Sequence, residues 1–269
     1  MMRIGFVGAG NMARALAGGL RAAAAGGRVP TLVATDPVPA ACEGFATATG
    51  GAIVPDLASL ATACDVIVLA VKPQIMPEVL PKLALVCSPG QHLVISIAAG
   101  VTMQMLVAHL GEKSRLIRAM PNTPALVNRG ATVLVAGGAA SAADGEEARR
   151  LFEAVGKVWQ VEDESLLDAV TAVSGSGPGF VFAWAEAMVD AARGAGLPAD
   201  LALALVQTTL LGSAVLWDES GRSAAELRAM VTSPGGTTQA GLEALAKAGL
   251  SAAVQSAVEA AARRSRELS

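Results

Sequence analysis

The 269-residue chain contains no tyrosine, two histidines, three cysteines and 3% aromatic residues. Each scarcity excludes something. Without tyrosine, no phenol can act as the proton donor of a Tyr-dependent reductase. With only His92 and His109, a histidine relay or a His-rich metal site is improbable, and no metal site is expected. Cys42, Cys64 and Cys87 lie far apart with no C-x-x-C pair, which fits a reduced, cytoplasmic protein without a disulfide framework. Charged residues make up 16% and the formal net charge is −3, with no basic stripe, so nucleic acid is not an expected partner. Hydrophobic residues reach 53%, yet no uninterrupted apolar run attains the ~18–20 residues of a bilayer crossing. The best candidate, residues 201–217, is interrupted by Gln207, Thr208 and Thr209. The apolar excess is therefore expected in a core or between subunits, with no membrane partner. The N-terminus enters a strand-like run at once, without a signal-peptide pattern.

Short β-like runs alternate with Ala-rich helical stretches through the first half. Residues 3–8, 31–36, 52–55, 65–71, 92–98, 115–120 and 131–136 read as strands. Residues 11–25, 56–63 and 74–87 read as helices between them. Continuous apolar strands separated by helices predict a parallel sheet covered on both faces. After about residue 162 only helices are expected, over 178–195, 199–216, 224–231, 239–248 and 251–268. The fold class is thus an α/β Rossmann-type domain (1–162) followed by an all-α domain (163–269).

Gly8-Ala9-Gly10-Asn11-Met12-Ala13 matches G-x-G-x-x-G/A between a strand and a helix, the context of a dinucleotide loop. The first glycine permits a tight turn, the second lets a pyrophosphate approach the backbone, and the helix N-terminus faces the phosphates. Asp36 ends the second strand. It either holds the ribose hydroxyls of NAD or caps the next helix. Ala70-Val71-Lys72-Pro73, Ser96 to Gly100 and Met120 to Pro124 end three further strands on the side where ligands of open α/β sheets bind. In the helical half, Ser174-Gly175-Ser176-Gly177-Pro178 and Ser233-Pro234-Gly235-Gly236-Thr237-Thr238 each precede a helix, a geometry suited to a carboxylate.

The combination resembles the pyrroline-5-carboxylate reductase family. It is carried by residues 4–13 (IGFVGAGNMA), 70–73 (AVKP), 96–100 (SIAAG), 118–128 (RAMPNTPALVN), 168–178 (DAVTAVSGSGP) and 233–238 (SPGGTT). The resemblance covers essentially the whole chain. It implies NAD(P)H-dependent reduction of 1-pyrroline-5-carboxylate to L-proline, the last step of proline biosynthesis, by hydride transfer to the cyclic imine carbon. It also implies a helical domain that builds a homodimer, and it allows a decamer. The active site in this family lies where a cofactor domain meets the helical domains of the dimer.

Carried onto this sequence, Val7, Gly8, Ala9, Gly10, Asn11 and Met12 line the pyrophosphate loop. Ala70, Val71, Lys72, Pro73, Ile97, Ala98 and Ala99 flank the cofactor; Asp36 is a further cofactor-binding candidate by its own place at the end of the second strand, beside its reading as a cap. Glu164, Ser176, Ser233, Thr237 and Thr238 belong to the substrate, and the Thr238 hydroxyl is the catalytic candidate at the ring nitrogen. Three positions depart from the family pattern. Gly179 and Phe180 replace the Ala-Tyr that commonly follows the SGSGP motif, and Asp56 stands where many relatives have Asn. Asp36 does not fit the NADPH preference that the family suggests, so NADH and NADPH both remain open. Rival readings are a β-hydroxyacid dehydrogenase, whose catalytic Lys is replaced here by Val181, a reductase of a six-membered cyclic imine, and a non-enzymatic dinucleotide-binding protein.

Overall fold

The structure, a computed structural model, describes residues 2–24 and 30–268. These divide into two compact units, residues 2–176 with 261–268, and residues 177–260.

The first unit is built on eight strands: β1 (Arg3–Val7), β2 (Thr31–Thr35), β3 (Ala52–Ile53), β4 (Val66–Leu69), β5 (Leu93–Ser96), β6 (Arg115–Met120), β7 (Gly130–Gly138) and β8 (Gly156–Gln160). Their order is β3-β2-β1-β4-β5-β6-β7-β8. All neighbours are parallel except β6 and β7, which pair antiparallel. Six helices belong to this sheet: α1 (Asn11–Ala23), α2 (Pro39–Thr49), α3 (Leu57–Ala63), α4 (Met76–Ala84), α5 (Met103–Leu110) and α6 (Ala142–Glu153). Ala25, the last residue of the helix expected over 11–25, lies outside the described residues.

Every residue of β4 and β5 is buried, because side chains of period two meet apolar cover on both faces. Ile4, Phe6, Val66, Val68 and Ile95 point to a core shared with Leu16, Phe45 and Phe152. Val7, Ile67, Leu69 and Val94 point the other way, to Leu60, Leu80, Leu83 and Leu106. Each such fully buried side chain contributes about 1.5–3 kcal/mol.

Strand β8 was not expected from the sequence. It contains Lys157 and Gln160, and three of its five residues are exposed at the sheet edge, so it has no apolar run to betray it. An Arg115–Asp144 ion pair fastens β6 to α6, whose capping box joins Ser141 and Asp144. Burial opposes the Asp144 charge, but the bonds from Arg115 and Ser141 outweigh it and hold the carboxyl below its ordinary range.

Beyond β8 the first unit continues through α7 (Leu166–Val170) and a π-helical turn, Thr171–Gly175. Leu167 and Ala172 are buried within it. The division by contacts thus falls at 176/177, later than the 162/163 expected from composition.

The second unit is helical: α8 (Gly177–Gly194), α9 (Ala199–Ser220), α10 (Ala224–Met230), α11 (Thr237–Lys247) and the start of α12 (Leu250–Glu267). The end of α12 belongs to the first unit, where Ser265 Oγ donates to Asp168 Oδ1 at 2.6 Å. Within the second unit α8 packs on α9, yet large apolar side chains stay outside: Phe182 is 70% exposed, Leu211 68% and Trp217 58%. A groove of about 830 Å³ between these helices includes Val181, Leu203, Leu210 and Trp217.

The helical run 166–194 and α9 are each long and apolar enough to cross a bilayer, by length and composition. The sequence still holds no uninterrupted apolar run of that length, since mean hydropathy tolerates polar interruptions. The interruptions at Gln207, Thr208 and Thr209 are too few to offset the aliphatic residues around them.

Candidate active site

The nucleotide half of the site lies in the first unit. Gly8 follows β1 with φ +99°, and its N–H donates to Thr35 O at 2.9 Å, tying the loop to the end of β2. A Cβ on Gly8 would stand 2.9 Å from Ala70 O, so only glycine fits. Gly10 is the N-cap of α1, makes no side-chain cap bond, and would direct a Cβ into open space. Its bare backbone and the first-turn N–H groups of α1 form a cradle that suits a pyrophosphate. Val7, Gly8 and Ala9 are buried, Gly10 and Met12 half-buried, and Asn11 exposed.

Asp36 is not the cap of the next helix. Its Oδ2 accepts from Ala9 N–H at 2.8 Å and its Oδ1 from Val38 N–H at 2.9 Å. The N-cap of α2 is Val38, with no side-chain bond. Asp36 therefore locks the glycine loop to β2, and it does so on the wall of a cleft of about 680 Å³. Asp56, Val71, Glu78 and Lys82 line the same cleft. Asp56 caps α3 by accepting from Ser59 N–H at 2.8 Å, and that bond holds its carboxyl below the ordinary range.

The strand-end motifs all fall at carboxyl ends. Ala70, Val71, Lys72 and Pro73 follow β4, and Pro73 opens a short 3-10 turn, Pro73–Ile75. Lys72 is exposed, whereas Ala70, Val71 and Pro73 are half-buried. Ile97, Ala98 and Ala99 follow β5, with Ala98 buried.

Glu164 is held in place rather than free. It pairs with Arg118 of β6, and its Oε1 also accepts from Met103 N–H at 2.7 Å, at the N-terminus of α5. Arg118 stands beside Ser96 in the β5–β6 register, so the pair binds the SIAAG end to the segment entering α7. Asn122 is a second fastening. Its Oδ1 accepts from Ala131 N–H at 2.8 Å, while its Nδ2 donates to Ser174 O at 3.2 Å. Arg118 and Asn122 both lie in the RAMPNTPALVN motif, which by itself does not show these bonds. A charged residue inside the apolar strand LIRAM is the signal that could have singled out Arg118.

The Ser174-Gly175-Ser176 segment corrects one expectation. It leads into α8 as expected, but not as a free helix start, because the chain is already helical from Leu166 and passes through the π turn. Ser176 N–H is spent on Thr171 O at 2.8 Å, so the expected nest of free amides does not form there. A π turn within a helix is a frequent companion of functional sites. Ser176 itself is half-buried.

In the second unit the other motif forms as expected. Gly235 adopts φ +69° and Gly236 N–H donates to Ser233 O at 3.0 Å, closing a tight turn. Gly236 is the N-cap of α11 and has no side-chain cap bond. A Cβ on Gly236 would meet Ser233 Oγ at 2.4 Å. Gln239 braces the turn by accepting from Gly235 N–H at 2.8 Å and donating to Glu243 Oε1. The helix begins at Thr237, two residues before the expected Gln239, so the amides of Thr237 and Thr238 fall in its first turn, where no acceptor exists within the helix. Thr238 is half-buried, while Ser233 and Thr237 are exposed. Among the described residues no cluster of three His, Cys, Asp or Glu could hold a metal ion.

A family model described as pyrroline-5-carboxylate reductase dimerisation matches residues 164–268. Another, described as NADP oxidoreductase, coenzyme F420-dependent, matches residues 3–100. A pyrroline-5-carboxylate reductase of Pseudomonas aeruginosa is 44% identical over 266 residues, covering 99% of this chain and 96% of that protein. The chain belongs to the pyrroline-5-carboxylate reductase family. Solved structures agree with it. The reductase of Coxiella burnetii aligns with TM-score 0.92 and 38% identity, covering 100% of this chain and 98% of that one. That of Plasmodium falciparum, with NADP bound, aligns with TM-score 0.87 and 31% identity, covering 99% and 98%. As a member of the pyrroline-5-carboxylate reductase family the chain is an oxidoreductase, and its Rossmann-type sheet followed by a helical dimerisation region is the family's arrangement.

Proposed function

We propose that the chain reduces 1-pyrroline-5-carboxylate to L-proline with NAD(P)H, the closing step of proline biosynthesis. The observation that carries this reading is the pairing, in one chain, of the bare Gly10 cradle with the open amides at the start of α11. The names of the relatives supply the substrate.

The cofactor residues are Val7 to Met12, Asp36, Ala70 to Pro73 and Ile97 to Ala99, with Ala98 and Ala99 presenting a small-residue surface to a flat ring. When bound, the reduced nicotinamide supplies a hydride to the imine carbon. The substrate carboxylate is held by the amides of Thr237 and Thr238, where the helix end favours an anion. Ser233 supports that turn. The Thr238 hydroxyl meets the ring nitrogen as it becomes an amine, and acts as an orienting group and proton relay rather than a strong acid. The family resemblance assigns Glu164, which Arg118 fixes, and Ser176 to the substrate as well. Most of the rate comes from holding two rings face to face, since a protonated imine is already a strong electrophile.

The functional division follows the sequence, with dinucleotide binding in 1–162 and substrate binding and dimerisation in 163–269. The exposed apolar faces of α8 and α9 meet a second copy of the chain rather than a bilayer, and dimers assemble further into a decamer. Three free cysteines fit a reducing cytoplasm, without membrane or nucleic-acid partners. Thr238→Ala tests the assignment at the reacting nitrogen. It is expected to lower kcat/KM at least ~10-fold, about 1.4 kcal/mol. Unchanged kinetics would remove Thr238 from the mechanism.

A further inference from the structure

We propose that this chain uses NADH in preference to NADPH, and that the carboxylates of Asp36, Asp56 and Glu78 set the choice. The inference rests on the reading of the cleft beside the glycine loop as the dinucleotide site.

The adenosine ribose of a dinucleotide in such a fold lies at the end of β2. Here that end is Thr35, and the next residue is Asp36. Its carboxylate is not a mobile surface charge. Both oxygens are engaged, one by Ala9 N–H at 2.8 Å and one by Val38 N–H at 2.9 Å. Swinging the side chain away from a phosphate would break both bonds and leave the Ala9 and Val38 amides without them, so moving Asp36 aside is costly. A carboxylate in this position accepts a hydrogen bond from a free ribose hydroxyl, whereas a phosphate there is an anion against an anion.

The rest of the cleft strengthens the bias. Among the described residues that line it, Asp36, Asp56 and Glu78 are acidic and Lys82 is the one cation, which leaves two negative charges uncompensated. Asp56 is fixed by its bond from Ser59 N–H and stays ionised. A ribose phosphate carries close to two negative charges at neutral pH. Within a cleft, the walls concentrate the field of like charges.

The test measures dissociation constants of NADH and NADPH for the full chain by quenching of nicotinamide fluorescence. It also measures kcat/KM for both with 1-pyrroline-5-carboxylate. NADH is expected to bind at least about tenfold tighter, the size expected of one carboxylate a few ångströms from a phosphate. The gap should narrow as salt rises from about 50 mM to about 500 mM, because screening weakens charge repulsion and leaves shape unaltered.

Two variants separate charge from loop fastening. Asp36→Ser is expected to shift the affinity ratio toward NADPH by about tenfold or more. The double variant Asp56→Asn with Glu78→Gln leaves the Ala9 bond intact and keeps a good cap on α3, and should shift the ratio in the same direction by a smaller factor. Equal affinity or a preference for NADPH in the unaltered chain overturns the proposal. So does an unchanged ratio in the double variant and in a folded Asp36→Ser protein. Tighter NADH binding without turnover of 1-pyrroline-5-carboxylate upholds the cofactor inference and refutes the proposed reaction.

Discussion

Gly8 and Gly10 belong to one motif, yet the structure gives them separate duties, and alanine at each should fail differently. Gly8 has φ +99°, and an added Cβ would lie 2.9 Å from Ala70 O and 3.0 Å from Val71 Cγ1. Ala70 cannot retreat easily, because its N–H donates to Val7 O at 2.8 Å. Left-handed backbone costs about 1–2 kcal/mol and an overpacked contact about 1–3 kcal/mol, so Gly8→Ala should destabilise the protein by about 2–5 kcal/mol. Gly10 has φ −73° and ψ −171°, which any residue adopts, and its Cβ would meet nothing within 4 Å. Gly10→Ala therefore costs at most about 1 kcal/mol, for a poorer N-cap. The new methyl group stands where a pyrophosphate approaches the backbone, and cofactor affinity should fall at least ~100-fold, about 2.7 kcal/mol. Thermal unfolding at fixed protein concentration reads the first effect, and fluorescence titration with NADH or NADPH reads the second. Gly10→Ala binding either cofactor like the unaltered chain would refute the cradle. A Gly8→Ala protein as stable as the original would refute the steric argument.

Two further predictions concern the ion pairs. Arg118→Met removes the ion-pair partner of Glu164 and leaves its carboxylate with the bond from Met103 N–H, and should cost about 2–4 kcal/mol in urea unfolding. Adding Glu164→Gln should recover part of that loss, and no recovery would show that the charge itself is not what matters. Asp144 has its carboxyl held below the ordinary value of about 3.9. A depressed carboxyl contributes stability that is full above that value and lost as pH falls through its lower folded value. The unaltered chain should therefore lose stability more steeply below about pH 4 than Asp144→Asn, and parallel acid-unfolding profiles would contradict this.

Much of the sheet was legible because its central strands are apolar runs between small-residue turns. Residues 65–71 and 92–98 could be read directly, for β4 and β5 are buried throughout. Strand β8 escaped because an edge strand needs no such run. The glycine loop was legible as a motif, and the turn before α11 as an excess of small residues over what capping needs. The SGSGP segment does lead into α8, but its Ser176 amide is not free. Small residues that signal a helix start also permit a π turn inside a continuing helix, and sequence does not separate the two. Asp36 left two readings open; the structure removes the helix cap and adds a bond to the glycine loop. Its partner Ala9 sits 27 positions away, in the opposite half of the loop–strand junction. The Arg118–Glu164 contact likewise spans 46 positions and four elements, beyond the reach of any local pattern.

The central claim is hydride transfer to a five-membered cyclic imine. The most direct test incubates the purified full chain with 1-pyrroline-5-carboxylate and NADH or NADPH deuterated at C4 of the nicotinamide, and examines the product by mass spectrometry and NMR. The account predicts L-proline carrying one deuterium on the δ carbon, with one reduced cofactor consumed per proline formed. Absence of proline with both cofactors, or proline without the label after transfer from either face of the nicotinamide, would contradict it.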